Sequence, residues 1–212
     1  MKGTMTTRSC TTEVILASAS PRRRRLLEEM LNWPIKVMPV SIEEHLLPKE
    51  APTESAKRLA LLKASAIAVR FPECLVIGAD TLVVVDGTVL GKPYDRHEAL
   101  QMLKKLNGKK HLVVTGVAIC RGDEIASDVE VTEVEFRKTS EEALVRYAEL
   151  GEGDDKAGAY AIQGKGALLV RSIKGCYYNV VGMPLYLLSV LLEQFDIPLT
   201  CQWRCEKDEV AL

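Results

Sequence analysis

The sequence predicts an α/β protein. Three observations carry that reading: apolar runs of strand length alternate with runs of helix length, the junctions hold capping and turn residues, and no internal repeat or linker divides the chain. With 212 residues, 47% of them hydrophobic, the chain can bury a substantial core as one domain or as a large domain with a subdomain.

Val14 to Leu16 is the first strand, followed by small residues and a helix start in which Ser20 serves as N-cap and Pro21 takes the first helical position. A helix beginning at a strand end aims unpaired backbone N–H groups and the positive end of its dipole outward, so an anion is expected there. Arg22 to Arg25 spread round the helix at about 100° per residue and cannot form one basic face. Arg23 lies three and four residues before Leu26 and Leu27, which begin the apolar stripe completed by Met30 and Leu31, so it projects inward. Arg25 points nearly opposite, to water. An inward guanidinium beside helix N–H groups wants a bidentate anion, and a phosphate suits it; the plainer alternative is a solvated basic run of the nuclear-localisation kind.

This helix ends near Asn32, and Ile35 to Val40 reads as a strand after Pro34. Glu43 and Glu44 beyond it form either a solvated turn or, for Glu44, a ligand. Thr53 is expected to cap a long helix from Glu54 to Phe71. Within it, Lys63 sits among Leu59, Ala60 and Ile67, and either snorkels to the surface or reaches an anion in a cleft. Cys74 to Ile77 is a buried strand, interrupted by Gly78-Ala79-Asp80-Thr81 before Leu82 to Val85 resumes. An aspartate between two such runs is costly unless paired or bound to a metal, which makes Asp80 the strongest catalytic candidate, set against a structural role.

Asp86-Gly87 turns the chain into Thr88 to Leu90, and Gly91-Lys92-Pro93 holds Lys92 stiffly aimed. Asp95 and Glu98 resemble a capping box for a helix from Arg96 to Asn107, closed by Gly108. His111 to Cys120 and Glu124 to Phe136 pair around Arg121-Gly122-Asp123, and the phase change from Val129 and Val131 to Val134 and Phe136 predicts a bulge or register break near Thr132. A helix from Ser140 to about Leu150 leads into the glycine-rich stretch 151–164, whose glycines imply flexibility or close approach of backbone to a ligand. Ala167 to Ile173 and Cys176 to Val181 are expected to form a hairpin about Lys174-Gly175, and Pro184 starts a last helix to Phe195.

Lys plus Arg is 28 against 29 Asp plus Glu, a net charge of -1, and 5% of residues are aromatic, so no field gathers nucleic acid. No apolar run reaches the ~20 residues that cross a bilayer, and Met1 to Cys10 lacks a signal-peptide core, so a cytoplasmic protein without a membrane partner is expected. The six cysteines are scattered and read as reduced thiols; Cys201 and Cys205 have no evident partners for a zinc ion.

Leu16 to Arg23, the Glu44 segment, Lys63-Ala64, Gly78-Ala79-Asp80-Thr81, Gly91-Lys92-Pro93, Asp155 to Gly164 and Asn179 to Pro184, in this order, resemble the Maf family of nucleoside triphosphate pyrophosphatases. The likeness runs over roughly residues 14 to 195. It implies an α/β fold similar to inosine triphosphate pyrophosphatases, a mixed twisted sheet with helices and two lobes around a central cleft. It implies one Maf-like domain, with residues 1–12 as an N-terminal extension, 13–197 as the catalytic core and 198–212 as a tail. The implied activity, a hydrolase reaction of nucleotide metabolism, cleaves a nucleoside triphosphate to monophosphate and pyrophosphate, with Mg²⁺ or Mn²⁺, in a cytoplasmic protein that is often a homodimer.

By the same resemblance Asp80 is general base or metal ligand, and together with the residue chemistry above Asp80, Glu44, Lys63 and Lys92 are expected to be catalytic, with Asp80 and Glu44 holding the metal. Ser18, Ser20, Arg22, Arg23, Thr81 and Gln163 contact substrate, with Arg22, Thr81 and Gln163 bearing on its choice. The stretch Asp155 to Gly164 is similar to the subgroup acting on dTTP and UTP, and a glutamine amide can pair with a pyrimidine imide. The other readings are a pyrophosphatase of the 7-methyl-GTP type and a nucleotide-binding regulator of cell division that does not hydrolyse. A nucleic-acid-binding module ranks below both.

Overall fold

A computed structural model of the chain describes residues 13–31, 33–42 and 45–203. Among these, seven strands form one mixed sheet: β1 (Val14–Leu16), β2 (Ile35–Val37), β3 (Leu75–Val85), β4 (Thr88–Leu90), β5 (Lys110–Arg121), β6 (Glu124–Phe136) and β7 (Val170–Lys174). The order is β2-β1-β3-β5-β6-β7, with β4 also paired to β3. β1 runs parallel to β2 and β3, whereas the pairs β3–β5, β5–β6 and β6–β7 are antiparallel. The helices are α1 (Pro21–Leu31), α2 (Pro52–Ala68), α3 (Arg96–Leu106), α4 (Glu141–Glu149), α5 (Tyr177–Val181), α6 (Leu185–Glu193) and α7 (Leu199–Gln202). None of the described helices is long and apolar enough to cross a membrane.

Helix α2 lies very close on one sheet face because that face presents glycines under it. A Cβ on Gly116 would stand 2.2 Å from the Ala56 carbonyl oxygen, and one on Gly78 would stand 2.3 Å from that of Ala60. Small residues on both sides let backbone meet backbone, so α2 cannot shift along the sheet without collision.

The opposite face carries two separate cores. One joins Leu27, Ile77, Ile119, Leu188 and Leu192; the other joins Val83, Leu103, Leu106, Val113, Phe136 and Leu144. Between them β3 and β5 present Thr81 and Thr115, whose hydroxyls are 3.0 Å apart. Two apolar masses divided by a polar strip give this α/β fold two lobes.

Local signals behave as their chemistry requires. Asp95 accepts the Glu98 N–H at 2.8 Å, and Glu98 reaches back to the Tyr94 N–H at 2.6 Å. Asp86 and Gly87 both take positive φ, 48° and 74°, the condition for a two-residue hairpin. Ser140 caps α4 by accepting the Ala143 N–H at 3.3 Å.

Four expectations are corrected. Strand β3 is continuous through Gly78 to Thr81, with Asp80 opposite Gly116, because a charge that finds a partner on one face does not interrupt the backbone ladder. The pairing of β6 with β5 is unbroken from Lys110 opposite Glu135 to Arg121 opposite Glu124, past Thr132, and the irregularity of β6 lies instead at Glu135 and Phe136, where its pairing with β7 shifts register. Val129 packs on the α2 face with Ala56, Leu82 and Val114, while Val134 and Phe136 fill the other core, so covering on both faces produced the phase change. Helix α2 starts at Pro52 with Ala51 as its N-cap, placing Thr53 inside the first turn. The expected hairpin partner Cys176 to Val181 is instead α5, because Asn179 Nδ2 donates to the Val113 carbonyl and to Thr132 Oγ1, both at 2.9 Å, and tertiary bonding overrides strand preference.

Candidate active site

Strand β3 is longer than its neighbours on one side. β1 pairs with it over Leu75–Ile77 and β4 over Val83–Val85, so the described structure puts no strand beside residues 78–82 on that edge. Ala17 to Ser20, leaving β1, and Gly91-Lys92, leaving β4, both run toward the gap. A cleft of about 320 Å³ opens there, and its lining includes Ser18, Ser20, Arg22, Arg23, Lys63, Asp80, Thr81, Lys92, Asp155, Lys156, Tyr160 and Gln163. Every described residue expected at the site borders this one cleft.

Lys63 and Asp80 meet at its floor. Nζ lies 2.5 Å from Oδ1, and the two residues are 7% and 5% exposed. The lysine does not snorkel: α2 is pressed so close to Gly78 and Gly116 that its inner face opens directly onto Asp80. The pair is desolvated, charge-assisted and aimed.

Arg23 points inward as its position in α1 requires, where carbonyls and hydroxyls accept from it. Nε donates to the Gly182 carbonyl at 2.7 Å, Nη1 to the Ala79 carbonyl at 2.9 Å and to Ser18 Oγ at 3.1 Å, and Nη2 to Thr81 Oγ1 at 2.9 Å. The guanidinium fork thereby clamps the end of β1, the exposed edge of β3 and the turn between α5 and α6. Two of these acceptors are backbone carbonyls, which sequence pattern does not reveal. Ser18 and Thr81 are drawn into the same network, and the Ser20 hydroxyl lies 3.5 Å from the Arg23 N–H. Arg24 and Arg25 face outward and pair with Glu28 and Glu29 one turn on.

Arg22 occupies the opposite wall, where Nη1 is 4.0 Å from Asp155. Burial pulls its guanidinium below the usual value, opposed by the negative charges of Asp155 and Glu152. Lys92 is exposed on the segment leaving β4. Gln163 is exposed at the far end of the glycine-rich stretch, which docks on the β4 exit through the Gly158 N–H and the Gly91 carbonyl at 3.0 Å. Glu44 lies outside the described residues. The segment just after it is tied to α2, since Arg58 donates to the His45 carbonyl at 2.9 Å and to Glu50 at 2.7 Å, and that bond with one from Ser55 holds the Glu50 carboxyl down to about 2.

Sequence reasoning missed three participants. Lys156 lines the cleft with its ammonium held by Asp155 and the Glu152 carbonyl; its place within a glycine-rich stretch already quoted was the available signal. Tyr160 forms part of the wall, backed by His111 at 2.9 Å in a cluster of rings with Phe136. Burial pushes His111 down to about 4. Glu152 sits behind the Gln163 segment, and no pattern in the sequence distinguishes it from a surface glutamate.

Such an arrangement presents several cations and one buried carboxylate to a single space, the equipment for gripping a polyanion and moving a proton beside it. Residues 13–195 match the family model described as Maf-like protein. A dTTP/UTP pyrophosphatase from Symbiobacterium thermophilum is 51% identical over 187 residues, 88% of this chain and 96% of that protein. One from Pyrococcus furiosus is 46% identical over 181 residues, 85% of this chain and 94% of its own length. Among solved structures, the Ham1 protein of Staphylococcus aureus shares the fold, with a TM-score of 0.50 at 17% identity over 87% of this chain and all of that one. Motifs, cleft and relatives agree, and the chain belongs to the Maf family.

Proposed function

We propose that the protein is a nucleoside triphosphate pyrophosphatase that hydrolyses dTTP and UTP to the monophosphate and pyrophosphate. The observation that carries this reading is the buried Lys63–Asp80 pair on the floor of a cleft whose walls hold Arg22, Lys92 and Lys156. Two relatives that each align over more than nine-tenths of their own length carry that activity in their names.

Water attacks the α-phosphorus: an O–P bond forms, the bond from that phosphorus to the bridging oxygen breaks, and pyrophosphate leaves. Asp80 accepts the proton lost by the water, and Lys63 orients the carboxylate for it. Arg22, Lys92 and Lys156, with the N–H groups at the start of α1, take up the charge that builds on the bridging and leaving oxygens. Arg23 keeps the walls in register. Among the described residues no three His, Cys, Asp or Glu side chains gather at one point. Asp80 offers an oxygen donor at the cleft floor, and such a donor fits a hard divalent ion that uses one or two carboxylates and completes its shell with substrate oxygens and water. Asp80 would hold it, with Glu44 as the second carboxylate. When bound, Mg²⁺ or Mn²⁺ supplies neutralisation of phosphate charge and a more acidic water. Gln163, at the open end, pairs with the imide edge of the base.

Purified protein incubated with dTTP, UTP, CTP, ATP and GTP and Mg²⁺ or Mn²⁺ tests this directly. Release of pyrophosphate and monophosphate from dTTP and UTP is expected; bound nucleotide with no cleavage would sink the hydrolytic reading and leave a nucleotide-binding regulator.

A further inference from the structure

The Glu152 carboxylate makes no direct contact with the groups assigned to the reaction above, yet it is among the most heavily hydrogen-bonded carboxylates described. Oε1 accepts the Lys165 N–H at 2.8 Å; Oε2 accepts the Gly166 N–H at 2.9 Å and the Tyr147 hydroxyl at 2.7 Å. The Tyr147 oxygen in turn accepts the Ala161 N–H at 3.1 Å. Both flanks of Gln163 are thus fastened to one carboxylate, directly at 165 and 166 and through a tyrosine at 161.

The glycines of this stretch exist to admit those groups. A Cβ on Gly164 would stand 2.0 Å from Glu152 Oε1, and one on Gly166 would stand 2.5 Å from the Tyr147 hydroxyl. Their φ values are not the reason; space is. Burial opposes ionisation of Glu152, but the donors Tyr147, Gly166 and Lys165 and the charge of Lys156 hold its carboxyl below the usual carboxylate range. The acceptor is therefore a full anion with three donors.

We propose that Glu152 is the positioning residue of the nucleobase end: its carboxylate sets where the segment from Ala161 to Gly166 presents the Gln163 amide, and so governs discrimination between bases without touching substrate. This rests on the reading of Gln163 as the base-pairing group. Glu152→Gln keeps the size but offers one oxygen and one NH₂ to three donors, so at least one of the three attachments becomes a donor facing a donor. Gly164→Ala expels the carboxylate while keeping its charge.

The experiment compares wild type, Glu152→Gln and Gly164→Ala by kcat/KM on dTTP and dGTP, and by direct titration with dTMP and with inorganic pyrophosphate. Either variant is expected to lower the dTTP-to-dGTP ratio about tenfold and weaken dTMP by a similar factor, with pyrophosphate affinity kept within about twofold. An unchanged ratio, or equal weakening of dTMP and pyrophosphate, would overturn the proposal, since a merely structural role moves both ends together. Wild-type protein that binds these ligands without cleaving dTTP would sink the hydrolytic reading alone, and the two titrations would still decide on Glu152.

Discussion

Lys63 Nζ and Asp80 Oδ1 stand 2.5 Å apart beneath the cleft, with Lys63 on a helix that two sheet glycines let sit close against β3 and β5. Asp80→Asn keeps the volume and removes the proton acceptor, so pyrophosphate release should fall by at least about a hundredfold in a protein that still folds. Near-normal turnover in the folded variant would take Asp80 out of the mechanism. Lys63→Met strands the carboxylate instead and should lower stability by roughly 3–5 kcal/mol in denaturant titration. Combining Lys63→Met with Asp80→Leu should recover much of that loss while leaving no activity.

Gly116→Ala places a methyl where the Ala56 carbonyl oxygen already lies. Helix α2 must lift, at a cost of about 1–3 kcal/mol, and Lys63 moves with it. Turnover should fall more than tenfold although no side chain in the cleft has changed. A crystal structure or a thermal melt showing α2 undisturbed would refute the account of its seating.

The two adjacent arginines should separate cleanly. Arg23→Lys cannot span the Gly182 and Ala79 carbonyls together with Ser18 and Thr81, and leaving such acceptors unpaired should cost about 2 kcal/mol or more in unfolding free energy. Arg22→Lys should leave the melting temperature nearly unchanged and raise KM for the triphosphate several-fold. The reverse pattern would show that the roles are exchanged.

Gln163→Ala should shift relative efficiency on dTTP and UTP against purine triphosphates while kcat on the poorer substrates stays close to wild type. Uniform losses on every nucleotide would count against a base-reading amide.

His111 links stability to pH. Its pKa in the fold is about 4 because burial disfavours the charged ring, against 6.5 in the unfolded chain. Above 6.5 both states hold it neutral, so nothing is lost. As pH falls below 6.5 the unfolded chain takes up a proton that the fold refuses, and stability drains away down to about 4, by a total of order 3 kcal/mol. Melting temperatures measured from pH 7 to 5.5 should show this slope, and His111→Gln should flatten it.

Capping and turn chemistry acts over a few residues, so Asp95, Asp86-Gly87, Ser140 and the Ser20-Pro21 helix start were all legible from the sequence. The inward aim of Arg23 and the cost of leaving Asp80 unpaired followed from periodicity and desolvation, and the resemblance collected the dispersed motifs into one expected site. Pattern could not supply the partners. Whether Lys63 snorkels or turns inward depends on how close α2 approaches β3, and that distance is set by Gly116, some fifty residues along the chain.

By itself, then, the sequence determined which segments become strands and helices wherever the signal is local, and which residues carry charge able to grip a phosphate. The tertiary structure alone decided that β1 and β4 stop short on the same edge of β3, opening a gap into which both of their exits deliver cations. It also decided that Arg23 reaches the Gly182 and Ala79 carbonyls, that Tyr177 to Val181 coils, and that Glu152 fastens the Gln163 segment. The physical reason is that backbone donors and acceptors are identical at every residue: which of them stand unpaired, and so recruit a side chain, becomes defined only when distant strands are laid side by side.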